Sequence, residues 1–165
     1  MVELLVVFGV IVVLVGVAWP VTVRMVRNSH QVRCLSNLRE IGVGIEAYLS
    51  DHANRYPEIE MARASRDEPV PVLETALEDY LPSAEVFHCP ADREVFKASG
   101  SSYLWNSTQS GRHRLQTSFL GIENQPPRVP LVIDKEAFHG KPDGVNMLYA
   151  DYHLSDKVDF RAGRR

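Results

Sequence analysis

The sequence predicts an α+β protein shaped like a lollipop, in which a long N-terminal helix carries a small antiparallel β-sheet domain on its C-terminal half. Three patterns support this fold class. An uncharged and mostly apolar run extends from Leu4 to Val23. A stripe of apolar residues with three- and four-residue spacing follows it. The rest of the chain contains short strand candidates between proline-containing polar stretches, which is typical of a small sheet joined by turns.

The first segment, residues 1–23, is long enough to cross a bilayer. Its 20 uncharged residues would form a helix of about 30 Å, which matches the hydrocarbon core of a membrane. A signal peptide is an alternative interpretation, but it needs a basic start, a shorter apolar stretch and a small-residue cleavage site. No Lys or Arg precedes Arg24, and residues 17–20 (VAWP) are a poor cleavage site. A plain membrane anchor stays open as a second alternative.

The same helix is predicted to continue through residues 24–52. Because residues 53–165 are the only other part of the chain, we expect them to form a domain that covers the apolar stripe. Pro20 removes one backbone hydrogen bond, so it should kink or loosen the helix. Gly42 and Gly44 weaken a helix and are expected to permit close packing by the domain. The stripe consists of Leu35, Leu38, Ile41, Ile45, Tyr48 and Leu49.

Residues 53–165 contain the pattern of one short helix and a small sheet. Helical spacing predicts a helix at 72–81, and residues 87–90 suit a short extended segment. Charged or polar stretches with proline predict exposed loops at 58–71 and 107–128. Strands are predicted at 102–106, 129–134, 145–150 and 153–158, the last two forming a closing hairpin.

Composition argues against several classes of function. The net charge is −3, and the 18 Lys and Arg residues are spread along the chain, so no nucleic-acid partner is expected. The sequence contains no phosphate-binding loop, dinucleotide fingerprint, HExxH pair or nucleophile elbow. We therefore expect no enzyme activity and no cofactor.

Two small sets of residues could carry chemistry. Cys34 and Cys89 are the only cysteines, an even count that suits a disulfide in an oxidising compartment, with two separate buried thiols as the alternative. Within the fifteen residues of segment 139–153, carboxylates and imidazoles could bind a divalent cation. Their spacing matches no metal motif, so they are weak candidates: His139, Asp143, Asp151 and His153.

Residues 2–7 (VELLVV) resemble the start of mature bacterial type IV pilins and type II secretion pseudopilins, which commonly read FTLVELLVV. Pro20 falls where many members of that family carry a proline. Met1 stands where the family usually has Leu, so a leader and two mature residues are expected to precede it. Further matches are CLSNLREIG at 34–42, DH at 51–52, YP at 56–57, CPAD at 89–92, SY at 102–103 with Asn106, and GVNMLYADYH at 144–153.

These motifs are similar to those of prepilin-type proteins that carry a His, nine residues and an Asp-Gly pair near the C-terminus. Two departures stand out. His139 and Asp151 enclose eleven residues, and Tyr152 replaces the glycine. Tyrosine is strained where a hairpin needs positive φ, so a wider turn or another turn type is expected.

The resemblance implies a pilin-like fold and a structural subunit of a pilus or pseudopilus. Glu3 would pair with the N-terminal amine of an adjacent subunit, because a lone carboxylate in an apolar bundle is costly. Pro20 would either be a neutral feature or the place where the helix bends during assembly. Implied partners are further copies of the chain, membrane lipid before assembly, an inner-membrane assembly platform, an assembly ATPase and a prepilin peptidase that methylates the N-terminus.

The location follows from the same resemblance: the bacterial inner membrane first, then the periplasm or the cell surface. Taken alone, the positive-inside rule would put the domain in the cytoplasm, because four arginines follow the apolar run: Arg24, Arg27, Arg33 and Arg39. Two other functions stay open. One is a membrane-anchored enzyme or metal-binding module that uses residues 139–153, and the other is an anchored envelope binding module that forms no filament.

Overall fold

The computed structural model describes residues 2–140 and 144–156. It confirms an α+β lollipop with one long helix and a small antiparallel sheet. The helices are α1 (Val2–Asp51), α2 (Leu73–Ala76) and α3 (Val95–Ser99), and short 3-10 turns lie at Glu78–Tyr80, Ala84–Phe87, Ser107–Gln109 and Pro126–Arg128. The strands are β1 (Tyr103–Trp105), β2 (Ser118–Phe119), β3 (Ile122–Glu123), β4 (Pro130–Asp134), β5 (Met147–Tyr149) and β6 (Leu154–Ser155).

Helix α1 follows the predicted bounds closely and is continuous across Pro20. It ends where Ala53 and Asn54 adopt left-handed backbone conformations, with φ values of 52° and 59°. The Asn54 amide then donates to the Leu49 carbonyl at 2.8 Å, which satisfies one of the free carbonyls of the last turn. A change of direction at Pro20 stays a prediction. We call residues 2–33 the stem, and we call residues 52–140 with 144–156, which pack on the rest of α1, the head.

The apolar stripe on the second half of α1 is covered, as expected. Leu38, Ile41, Ile45 and Leu49 are fully buried together with Cys34. They form one core with residues of the sheet and of the turns that precede it. Hydrophobic burial of this stripe is therefore what holds the head on α1.

The two glycines of α1 that were expected to permit close packing do so. A Cβ atom on Gly44 would lie 3.0 Å from Cγ and Cδ2 of Leu81. A Cβ atom on Gly42 would lie 3.3 Å from Cδ1 of Tyr152 and 3.4 Å from Cδ2 of Leu148. The distances to Leu81 and Tyr152 are shorter than ordinary van der Waals contact, so the head approaches the helix backbone itself at these two places.

The main sheet has four antiparallel strands in the order β1-β4-β5-β6. Tyr103 of β1 pairs with Asp134 of β4, and Leu148 of β5 pairs with Leu154 of β6. All four predicted strands are present, although each is shorter than its predicted segment, and residues 157–158 of the last one lie outside the described residues. One face of the sheet packs against α1, where Leu148 lies over Gly42.

The long exposed loop expected at 107–128 is not found. The segment contains two 3-10 turns and a separate two-stranded hairpin of β2 and β3. Its polar side chains satisfy the local backbone: the buried Gln109 donates from Nε2 to the Ser118 carbonyl at 2.6 Å. Polar composition suggested exposure here, but internal hydrogen bonds allow some of these side chains to be buried.

Two other local elements differ from expectation. The helix predicted at 72–81 is split into α2 and a 3-10 turn, and α3 was not predicted. Tyr152 itself adopts the left-handed conformation, with φ of 67°, in a hairpin whose Tyr149 amide donates to the His153 carbonyl at 3.0 Å. Packing of the Tyr152 ring over Gly42 offsets this backbone strain.

Replacing Gly44 by Leu should lower the stability of the head by about 2 kcal/mol or more, because the new side chain collides with Leu81. The matched control is Gly16→Leu in the stem, where an added Cβ meets nothing within 4 Å. Thermal unfolding of the full chain in detergent, followed by near-ultraviolet circular dichroism, compares the two. Equal midpoints for both variants would contradict the close packing at Gly44.

Candidate functional site

A disulfide joins the head to helix α1 just beyond the stem. Cys34 lies on α1 and Cys89 follows the 3-10 turn Ala84–Phe87; their Cα atoms are 5.1 Å apart and both side chains are fully buried. The bond confirms the pairing expected from the even cysteine count. It closes a chain segment with a sequence separation of 55 residues, which restricts the unfolded chain and fixes residues 87–90 against the helix.

In the CPAD motif at 89–92, the carboxylate of Asp92 has a structural role. Its Oδ1 accepts hydrogen bonds from the amides of Glu94 and Val95 at 2.9 and 2.8 Å. Its Oδ2 accepts from the Phe96 amide at 2.8 Å and from the Ser102 hydroxyl at 2.6 Å. Asp92 therefore starts α3 and ties it to the residue before β1.

This network continues to the disulfide. The Ser102 hydroxyl oxygen also accepts from the Cys89 amide at 3.0 Å. Burial alone would raise the pKa of Asp92, but the Ser102 hydroxyl and the three backbone amides outweigh it and leave the pKa lowered. The ionised carboxylate is thus the form that the fold stabilises.

His139 lies beside the disulfide. Its Nε2 is 3.5 Å from Sγ of Cys89 and 3.9 Å from Oδ2 of Asp134, and its side chain is only 3% exposed. The Cys34 sulfur is in turn 3.4 Å from the Tyr103 hydroxyl oxygen. An imidazole, a carboxylate and a phenol therefore surround two sulfur atoms in the interior of the head.

Among the groups around the two sulfur atoms, Asp134 is the least expected. Burial raises its pKa to about 7, although the amide and the side chain of Asn146 both donate to its Oδ2 at 2.8 and 2.9 Å. Its Oδ1 is buried and has no hydrogen-bond partner among the described residues. Sequence analysis missed Asp134 as a site residue; the available signal was a carboxylate at the end of a predicted buried strand.

The four weak metal candidates are not brought together as one group. Within the described residues, one group of three candidate ligands has its ligand atoms within 4.8 Å of one another, and it consists of Cys34, Cys89 and His139. Asp151 and His153 instead contact each other at the tip of the β5–β6 hairpin, where both are exposed. Asp143 lies outside the described residues.

A second polar cluster lies where the hairpin meets α1. Glu46 accepts from Nη1 of Arg114 at 2.8 Å. The pKa of Glu46 is lowered: the nearby hydroxyl of Tyr152 and the guanidinium of Arg114 both lower it, and together they outweigh burial, which raises it. The arrangement orients the hairpin on α1 and offers no group that resembles a catalytic centre.

A groove separates the upper stem from the head. Its volume is about 590 Å³, and it is lined by stem residues that include Trp19, Arg27 and His30 and by head residues that include Arg93 and His139. None of the described residues that line it is acidic. Arg27 and Arg93 form no ion pair within the described part of the chain, so the groove is a basic cleft at the end of the apolar run.

The two residues expected to act in assembly lie on the uncovered stem. Glu3 is in the first turn of α1, where the helix dipole stabilises a carboxylate, and Pro20 lies inside the helix. One stretch of α1 is long and apolar enough to cross a membrane, with a mean hydropathy of 2.8 and none of it buried. The side chains of Phe8, Leu14 and Trp19 are each more than 60% exposed.

Comparison with family models, curated proteins and solved structures finds no significant match to this chain.

Replacing Asp92 by Asn removes two acceptor positions and should lower the free energy of unfolding at pH 7 by about 1–3 kcal/mol. Because the folded-state pKa of Asp92 is lowered, its contribution is present above about pH 4, its unfolded value, and is lost as pH falls through the folded value. Urea unfolding of the full chain between pH 7 and pH 2 measures both effects.

The wild-type chain should lose more stability on acidification than Asp92→Asn does, so the two curves converge at low pH. The control is Asp67→Asn in an exposed loop, because the Asp67 side chain forms no ion pair with another described residue. Parallel curves for wild type and Asp92→Asn would show that the carboxylate is not the stabilising group.

Proposed function

We propose that this chain is a structural subunit of a pilus or pseudopilus filament, held in the bacterial inner membrane by its stem before assembly. One observation supports the proposal above the others. The apolar half of α1 is bare, although the same helix continues, without a break, into a folded and disulfide-bonded head.

Water cannot solvate this stem well. Each large apolar side chain gains roughly 1.5–3 kcal/mol when it is fully buried. The described part of the head covers α1 from Cys34 onward, so residues 2–29 need either lipid or other stems around them. Membrane insertion followed by packing of stems against one another meets this need at both stages.

Glu3 places a negative charge at the start of the stem, and a plain membrane anchor does not need this charge. It is the only charged residue before Arg24, and it lies in the first turn of α1. In an apolar bundle the carboxylate is tolerated when a cation neutralises it. The N-terminal amine of the adjacent subunit is the partner that we propose, because it would fix the axial register between two stems.

The remaining partners are part of the same proposal. Extraction from the membrane requires an assembly platform and an assembly ATPase, and a prepilin peptidase would cleave and methylate the N-terminus. The basic groove suits the lipid stage, because Arg27 lies one turn beyond the apolar run and Trp19 one turn before its end, which is the depth of lipid head groups. The filament role itself needs neither enzyme activity nor a cofactor.

The competing function is an anchored envelope module that forms no filament. The cluster of Cys34, Cys89 and His139 favours it to the extent that the head has a site independent of the stem. Assembly assays distinguish the two functions, since an anchor needs only the apolar length of the stem.

Replacing Glu3 by Ala should reduce the amount of the chain in sheared surface filaments at least about tenfold, because an unpaired amine would be left inside the bundle. The measurement is electron microscopy and immunoblotting of filaments and membranes from cells that carry a complete assembly system. Membrane levels of the chain should not change.

The matched control is Glu40→Ala, which removes an exposed carboxylate from the covered half of the same helix. This variant should assemble normally. Equal assembly of Glu3→Ala and wild type, in filaments that contain the chain, would exclude the charge-pairing role, and absence of any filament would favour the anchored module.

A further inference from the structure

We propose that, once the disulfide is reduced, Cys34, Cys89 and His139 bind one Zn²⁺ ion through two thiolates and an imidazole. The three side chains come from α1 and the head, and zinc binding by them does not depend on filament assembly. It assigns to this cluster a second, reduced state, whereas the disulfide is its oxidised state.

The distances fit zinc. Tetrahedral coordination with Zn–S bonds of about 2.3 Å and a Zn–N bond of about 2.0 Å separates sulfur from nitrogen by about 3.5 Å. Nε2 of His139 already lies 3.5 Å from Sγ of Cys89, and the ligand atoms of all three residues are within 4.8 Å of one another. Separation of the two sulfurs to about 3.8 Å, which side-chain rotation can supply, would complete the triangle.

The surroundings suit a bound ion. Both cysteines are fully buried and the His139 side chain is 3% exposed, so the ligands are held by packing. The Tyr103 hydroxyl, 3.4 Å from Sγ of Cys34, can donate to a thiolate, which orients that ligand. The carboxyl group of Asp134 lies 3.9 Å from Nε2 of His139 and is a further polar group beside the three ligands.

A metal also needs a path and a fourth ligand. His139 and the neighbouring Pro90 line the basic groove, so the cluster lies directly behind a cavity of about 590 Å³ that water can enter. Three protein ligands and one water molecule form a donor set that zinc commonly adopts. Zn²⁺ is favoured over Mg²⁺ or Ca²⁺ because two of the ligands are sulfur.

A dithiol reduces the disulfide between Cys34 and Cys89. Its two thiols become a disulfide, and two electrons and two protons pass to Cys34 and Cys89. Binding of Zn²⁺ then releases those two protons, because the ligands are thiolates. Either the disulfide or the zinc ion therefore connects the same two positions, α1 and the segment before α3.

The test uses the full chain in detergent, oxidised or reduced with a dithiol that is then removed under argon. Zinc alone is titrated against a chromogenic zinc indicator. The reduced chain should bind one Zn²⁺ and the oxidised chain none. Cobalt substitution should give thiolate-to-metal charge-transfer absorption, and zinc should raise the unfolding temperature of the reduced chain only.

Variants identify the ligands. His139→Ala should lower zinc affinity at least about tenfold, while the oxidised variant keeps the wild-type near-ultraviolet circular dichroism, which shows that it folds. His153→Ala is the matched control, because that imidazole lies at the exposed hairpin tip, and it should bind zinc as wild type does. Equal zinc binding by oxidised and reduced chains, or wild-type affinity in His139→Ala, would overturn the proposal.

Discussion

The structure depends on one constraint: a single continuous helix carries two apolar surfaces that must be covered by different means. The second half of α1 is covered within the chain, where Leu38, Ile41 and Ile45 are completely buried. The first half is apolar on every side and bare. Because hydrophobic burial is the main favourable contribution to folding and association, the bare half, which the described part of the chain leaves uncovered, has the most to gain from contact with lipid or a partner.

The head is fixed to α1 by features that reinforce one another. Gly42 and Gly44 let Leu148 and Leu81 approach the helix backbone. The disulfide joins Cys34 to the segment that Asp92 orders through its hydrogen bonds to α3. A rigid connection of this kind would transmit the position of each stem to its head, which a regular filament requires.

Some of this fold could be predicted from sequence because it follows from periodicity. The three- and four-residue spacing of Leu38, Ile41 and Ile45 predicted α1, and short apolar segments between turn-forming stretches predicted all four strands of the main sheet. The left-handed Tyr152 could not be predicted, since its strain is offset by tertiary contact with Gly42. The grouping of His139 with Cys89 depends on the fold, because 50 residues separate them in the chain.

The most direct measurement is electron cryomicroscopy of filaments sheared from cells that produce this chain, with mass spectrometry of their content. The account predicts helical filaments that contain the chain, with residues 2–23 of neighbouring copies packed at the centre and the heads outside. It is contradicted if the chain occurs in the membrane only as dispersed single copies whose stems contact lipid, while other subunits in the same cells assemble.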